Sequence, residues 1–212
     1  MAPWLGDLLW HQALPGIGTT LVLTQIALVG TGIVALLTFP LISRVFVDRF
    51  CQVPGHGLLI IGRSVPEYLL AYILLQLWGP SMLPAVVALV IHNGAIIGHL
   101  IGRQSSTLKL RPDVVSGFNC YTYEAVPRLY RSFLSFLLYR WEIIMRETAI
   151  LGILGITTLG FYVDSAIQEL RFDRAIVLIF ITALLNIGVD SLARTIRWQL
   201  RLRTIPAKLE AG

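Results

Sequence analysis

From Ile17 to Ser43 no side chain carries a charge. Such a run exceeds the roughly 20 apolar residues that cross a hydrocarbon layer as a helix. It restricts the fold severely, because backbone N–H and C=O groups in lipid must find partners within the protein, which leaves helices and closed barrels. The remainder of the chain agrees with helices. Of 212 residues, 56% are hydrophobic and 14% charged, whereas a soluble domain carries about 25% charge. Mean hydropathy is +0.74. The expected class is an all-α polytopic membrane protein forming a single domain over residues 1–212, with no separate soluble enzyme domain.

Five apolar segments are expected to span. The first is Ile17–Val47, with Pro40 near its inner end. A short basic linker with Arg49 and a turn at Pro54-Gly55 follows. Gly57–Trp78 is the second, stopped by Gly79-Pro80. Met82–Ile101 is the third; Gly94, Gly98 and Gly102 form a small-residue stripe along it, which lets another helix approach closely. Ser132–Gly155 is the fourth, weakened at its end by Gly152, Gly155 and Gly160. Tyr162–Arg174 reads as a short exposed helix or a re-entrant piece. The fifth is Ala175–Ala193, followed by a basic tail from Arg194 to Lys208.

Basic residues set the expected orientation. Arg44 and Arg49 flank the first loop. Arg103, Lys109, Arg111, Arg128 and Arg131 populate the polar loop at about 103–131, and Arg194, Arg197, Arg201, Arg203 and Lys208 fill the tail. The N-terminal segment and the Gly79–Ser81 turn lack Lys and Arg. The positive-inside bias then puts the N-terminus outside and the C-terminus in the cytoplasm. The same bias accounts for the net charge of +5, and no nucleic-acid partner is expected. Cys51 and Cys120 fall on the cytoplasmic side, where no disulfide is expected. No basic residue precedes the first apolar stretch, so no signal peptide is expected there.

Charges within the spans are candidates for function or for pairing. Arg63 and Glu67 are four apart and read as one helix face, with Pro66 opening the helix. Arg140, Glu142, Arg146 and Glu147 form a denser set: Glu142 and Arg146 are an i,i+4 pair, and Arg140 and Glu147 lie about two turns apart on nearly one stripe. All six are expected to face the bundle interior, either as structural pairs or along a solute route. His92-Asn93, in the middle of the third span, either hydrogen-bonds a neighbouring helix or meets a ligand. Asp190 and Arg194 read as a capping or interface pair. No nucleotide-binding, nucleophile-elbow or zinc-protease pattern occurs, and no cofactor or metal is expected. Ser132 or Ser135 with His92 could form a nucleophile and base, although nothing in the sequence positions them.

Three stretches resemble the permease subunits of binding-protein-dependent ABC importers, in the phosphonate/phosphite-type branch. RSVPEYLLAYILLQLWGP (Arg63–Pro80) resembles that branch's second core helix, and ALVIHNGAIIGHLIGR (Ala88–Arg103) the helix after it. FLLYRWEIIMRETAILGILGITTLGFYVDSAI (Phe136–Ile167) resembles its Tyr-Arg-x-Glu helix and glycine-rich turn. The resemblance runs from about Thr20 to Arg201; the first helix common in the branch is missing.

The resemblance implies a type I, methionine-importer-like permease fold of about five helices in a bacterial inner membrane. A second permease copy, a cytoplasmic ATPase and an extracytoplasmic solute-binding protein would complete the assembly. The loop at about 103–131 would be the coupling loop, with Pro112, Asp113, Gly117, Tyr121, Glu124 and Pro127 as its ATPase-coupling residues. Gly117 and Val126-Pro127 match the family's Gly and Leu-Pro, while Arg111-Pro112-Asp113 stands where the family has Glu-Ala-Ala. The transported solute would be a small anionic phosphorus compound, and the chain itself would not be an enzyme. The competing classes are an intramembrane enzyme and a non-transporting assembly subunit.

Overall fold

The computed structural model describes residues 3–79, 81–108 and 117–200. Lys109, Arg111, Pro112, Asp113, Arg201, Arg203 and Lys208 lie outside the described residues, as does the side chain of Cys51. Every regular element described is helical. Helix α1 (Pro3–Leu8), a π-turn (Leu9–Ala13), α2 (Leu14–Thr38) and a 3₁₀ turn (Phe39–Ile42) follow one another. Together they make a continuous apolar rod from Trp4 to Ile42. The irregular turns sit at prolines. Pro15 follows the π-turn and Pro40 lies in the 3₁₀ turn. A proline removes one helical hydrogen bond and its ring clashes with the turn before it, so the helix locally widens or tightens there.

Helix α3 (Arg49–Ser64) and helix α4 (Glu67–Trp78) meet at an elbow of 89°. This corrects two expectations. Pro54-Gly55 is not a turn but lies within α3, where a Cβ on Gly55 would stand 2.6 Å from the Leu41 carbonyl oxygen. Gly57–Trp78 is not one helix, because Pro66 bars the α conformation at Val65, which is extended at φ −75° and ψ 121°.

Helix α5 (Met82–Ser105) is the hub. It packs on α2, α3 and α4, and on α6 (Val126–Leu151). Its glycine stripe lies against α2. A Cβ on Gly94 would reach within 2.7 Å of Val34, and one on Gly98 or Gly102 would overlap Thr38 or Ile42. Close approach of this kind is what drives helix association where lipid is as apolar as the side chains. Leu23, Ala27, Ala88, Leu89 and Ile144 fill the space between α2, α5 and α6.

A π-turn (Cys120–Ala125) leads into α6, just ahead of Pro127. The segment from Phe118 to Arg131 is therefore helical, and the polar loop is shorter than expected. A 3₁₀ turn (Gly152–Leu154) and left-handed Gly155 (φ 89°) end α6. Helix α7 (Leu159–Gln168) then continues at 41° to it. A Cβ on Gly160 would overlap the Ala149 carbonyl oxygen. The last helix, α8 (Phe172–Gln199), rests on α6 and α7. Among the described residues, three stretches are long and apolar enough to cross a membrane unbroken, or up to five if each bent pair counts as one span.

Candidate functional site

Four polar side chains from three helices meet halfway along α5. His92 Nδ1–H donates to the Val65 carbonyl at 3.0 Å. That carbonyl sits at the elbow, where Pro66 offers no continuing helix, so the imidazole satisfies a backbone group that lipid could not. His92 Nε2 lies 3.5 Å from Glu67 Oε2. Glu67 opens α4 and is buried, at 8% exposure, where its charge also favours the helix N-terminus. Next to His92 on α5, Asn93 Nδ2–H donates to Glu147 Oε2 at 2.9 Å and to the Leu89 carbonyl at 3.0 Å. Glu147, on α6, is buried at 7% exposure, in the field of Glu67, Arg140 and His92. The neighbouring residues His92 and Asn93 thus each hold one carboxylate, from α4 and from α6. With Nδ1–H committed to Val65, an ionic His92–Glu67 contact requires a second proton on the imidazole. The site presents a polar face at membrane depth.

The other charges divide. Arg140 is half-buried, and its Nε has no hydrogen-bond partner. Glu142 and Arg146 pair at 3.6 Å, with Arg146 mostly exposed. Arg63 is exposed on the last turn of α3, beyond the elbow. It therefore shares no helix face with Glu67. Within one chain, Arg63 and Arg146 do not face the bundle interior as expected. Asp190 and Arg194 do form their ion pair. The imagined nucleophile pair is not assembled: His92 is committed to Val65 and Glu67, and Ser132 Oγ accepts from Gln104 at 2.8 Å.

At the polar loop, Gly117 has φ 103°, a conformation open to glycine but strained for other residues. Tyr121 stacks on Phe39 with ring centroids 5.4 Å apart, and its hydroxyl donates to the Leu36 carbonyl at 3.0 Å. Glu124 is buried and holds Arg128 at 2.6 Å. Pro127 lies in the first turn of α6. Tyr121 and Glu124 thus hold the segment on the bundle, whereas Phe118 and Tyr123 are 79% and 78% exposed. Neither aromatic residue stands out in the sequence. A threonine stripe on α2 also carries contacts not expected from the sequence. Thr24 donates to Thr148 at 3.2 Å, and Thr20 Oγ1 accepts the Leu159 N–H at 3.1 Å. Thr20, Thr24, Thr31 and Thr38 recur at helical spacing, and that was the available signal.

A solved structure described as an amino acid ABC transporter with histidines superposes on this arrangement with a TM-score of 0.70. It covers 88% of this chain and 92% of its own at 17% identity. The chain has the fold of an ABC-transporter permease. No family model matches it. In sequence it is similar to the phosphate-import permease protein PhnE of Mycolicibacterium smegmatis, with 24% identity over 152 residues. It is likewise similar to the phosphite transport system permease protein PtxC of Stutzerimonas stutzeri, with 23% identity over 142 residues. The matches cover 69% and 64% of this chain but only 29% and 51% of these relatives. In this permease fold the His92–Asn93 pair belongs to the helix that packs on α2, α3, α4 and α6, and the exposed aromatics lie just after Gly117. The permease resemblance of the sequence and the all-helical membrane class are thereby borne out.

Proposed function

We propose that the chain is the membrane-spanning subunit of an ABC importer for a small phosphorus oxyanion such as phosphite or a phosphonate. The observation that carries this reading is the match of fold along nearly the whole of both chains, with relatives named for phosphate and phosphite. ATP hydrolysis lies on a separate cytoplasmic ATPase. A binding protein delivers the solute from outside, and a second permease copy completes the pathway. The N-terminus is external and the C-terminus cytoplasmic. Exposed charges on Arg146 and Arg63 support a second copy, since a charge facing lipid at mid-membrane costs about 2.5–3.5 kcal/mol on insertion scales.

The coupling surface includes the segment Gly117 to Pro127, with Phe118 and Tyr123 as its exposed apolar contacts, held in place by Tyr121 and Glu124. The Glu67–His92 and Asn93–Glu147 contacts join α4 and α6 to α5, and ATP-driven closure moves these helices between two packings. The test is uptake of labelled phosphite and of methylphosphonate by vesicles holding the chain with its ATPase, supplied with the binding protein. ATP-dependent uptake of either is expected. Stimulation by a cationic or neutral solute, with no uptake of either oxyanion, refutes the assignment.

A further inference from the structure

A cavity of about 400 Å³ opens between α5, α6 and the last turns of α8. Ile96, Ile97, Leu100 and Phe136 make its wall, and Arg140 and Arg197 stand at its edge with Tyr139. Neither arginine has a carboxylate in ion-pair reach among the described residues, in contrast to Arg146 and Arg194, which are paired. The Nε of Arg140 is buried without an acceptor. Arg197 has only a long donation to the Ala193 carbonyl, at 3.4 Å, and the face of Tyr139, 5.9 Å from its centroid. Two guanidinium groups beside an apolar hollow therefore have donors to spare, and a buried donor left unmade is costly. The surroundings are interfacial: Trp198 and Tyr139 are exposed, and Arg194 lies one turn before Trp198. Aromatic and basic residues of this kind mark the headgroup level of a bilayer.

We infer that this cavity is a binding site for an anionic phospholipid, with the phosphodiester oxygens on Arg140 and Arg197 and the upper part of an acyl chain along Ile96, Leu100 and Phe136. A soluble phosphorus oxyanion shares the phosphoryl chemistry, but it gains nothing from an apolar wall, and its remaining oxygens lose water there. A phospholipid uses both parts of the site. Guanidinium suits it, since its planar fork meets two phosphate oxygens at once. The site is independent of which solute the protein moves.

Native mass spectrometry of the full-length chain in detergent, with phosphatidylglycerol or phosphatidylcholine added, tests the inference. Phosphatidylglycerol is expected to remain bound to the chain and phosphatidylcholine to be shed. Arg197→Gln, near the exposed end of α8, should lower phosphatidylglycerol retention about tenfold, the worth of one charge-assisted contact. Leu100→Trp fills the hollow without changing charge and should lower it as well. Arg194→Gln removes a paired arginine outside the cavity and should change nothing. Equal retention of the two lipids overturns the inference. So does retention that survives both Arg197→Gln and Leu100→Trp, or displacement of the lipid by millimolar methylphosphonate, which would give the cavity to a soluble anion.

Discussion

Helices α5 and α8 are both long and apolar enough to span, yet 67% of the spanning stretch of α5 is buried within the chain and only 17% of that of α8. Hydropathy alone would treat them alike. The difference lies in small and polar residues. Helix α5 presents Gly94, Gly98 and Gly102 to α2 and His92-Asn93 to α4 and α6. Helix α8 presents Ile176, Ile179, Phe180, Leu184 and Ile187 outward, and a Cβ on its Gly188 would meet nothing. In a bilayer an apolar surface already has a suitable solvent. Only close approach and hydrogen bonding decide which helix becomes the hub.

Glycine exchanges on the two helices should break that contrast most sharply. Gly102→Leu drives a side chain into Ile42 and towards the Phe39 carbonyl. Overpacking costs about 1–3 kcal/mol, and more where backbone must move. Most of the protein should therefore aggregate in fluorescence size-exclusion profiles. A monodisperse profile would show that the α2–α5 contact is looser than described. Next in size is Asn93→Leu, which strands the Glu147 carboxylate. Losing one partner of a buried polar contact costs about 1–3 kcal/mol, visible as a lower unfolding temperature in a thermal-shift assay. Adding Glu147→Leu to that variant should recover most of the loss. A further drop in the double variant would mean that Glu147 has other essential partners.

Thr24→Val removes one interhelical hydrogen bond to Thr148, and such bonds average about 0.6 kcal/mol in membranes. The same assay should register a small decrease. No difference from Thr148→Val is expected, and unequal effects would point to separate roles. The smallest effect belongs to Gly188→Ala on α8. It should be neutral or stabilising by about 0.5–1 kcal/mol, because glycine weakens a helix interior. A clear loss of stability, or of a dimer band after cross-linking, would show that this face packs on another chain.

The all-helical membrane class and the stripe on α5 were readable from the sequence because both depend on local composition and periodicity. The elbow was within reach as well. Pro66 reads in the sequence as the start of a helix, and in the structure it also ends the one before. The site was readable only in part. His92 and Asn93 stood out as polar residues at mid-span, and their bonding to neighbouring helices was one of two open readings. Their partners, Glu67 and Glu147, were assigned instead to Arg63 and Arg140 by spacing along one helix. Spacing says which residues share a face, but the bond was decided by the 89° elbow and by the crossing of α5 with α6, neither of which is a local property. Arg197 reads in the sequence only as part of the basic tail and Tyr139 only as part of the Tyr-Arg-x-Glu stretch, since their shared cavity joins residues far apart in sequence.

The carbonyl of Val65 has an implication for how this protein is made. Its partner, His92, lies 27 residues further along the chain. When α3 and α4 emerge from the ribosome, the Val65 carbonyl at the elbow between them has no donor in lipid, and α4, with 12 residues, is about 18 Å long and too short to cross unaided. Only when α5 follows across the tight connection after Trp78 can the imidazole close that gap. The two helices must therefore enter the bilayer as a hairpin. Lengthening the link between them, at a place far from any transport chemistry, should send nascent chains to quality-control proteases before a single solute has been carried.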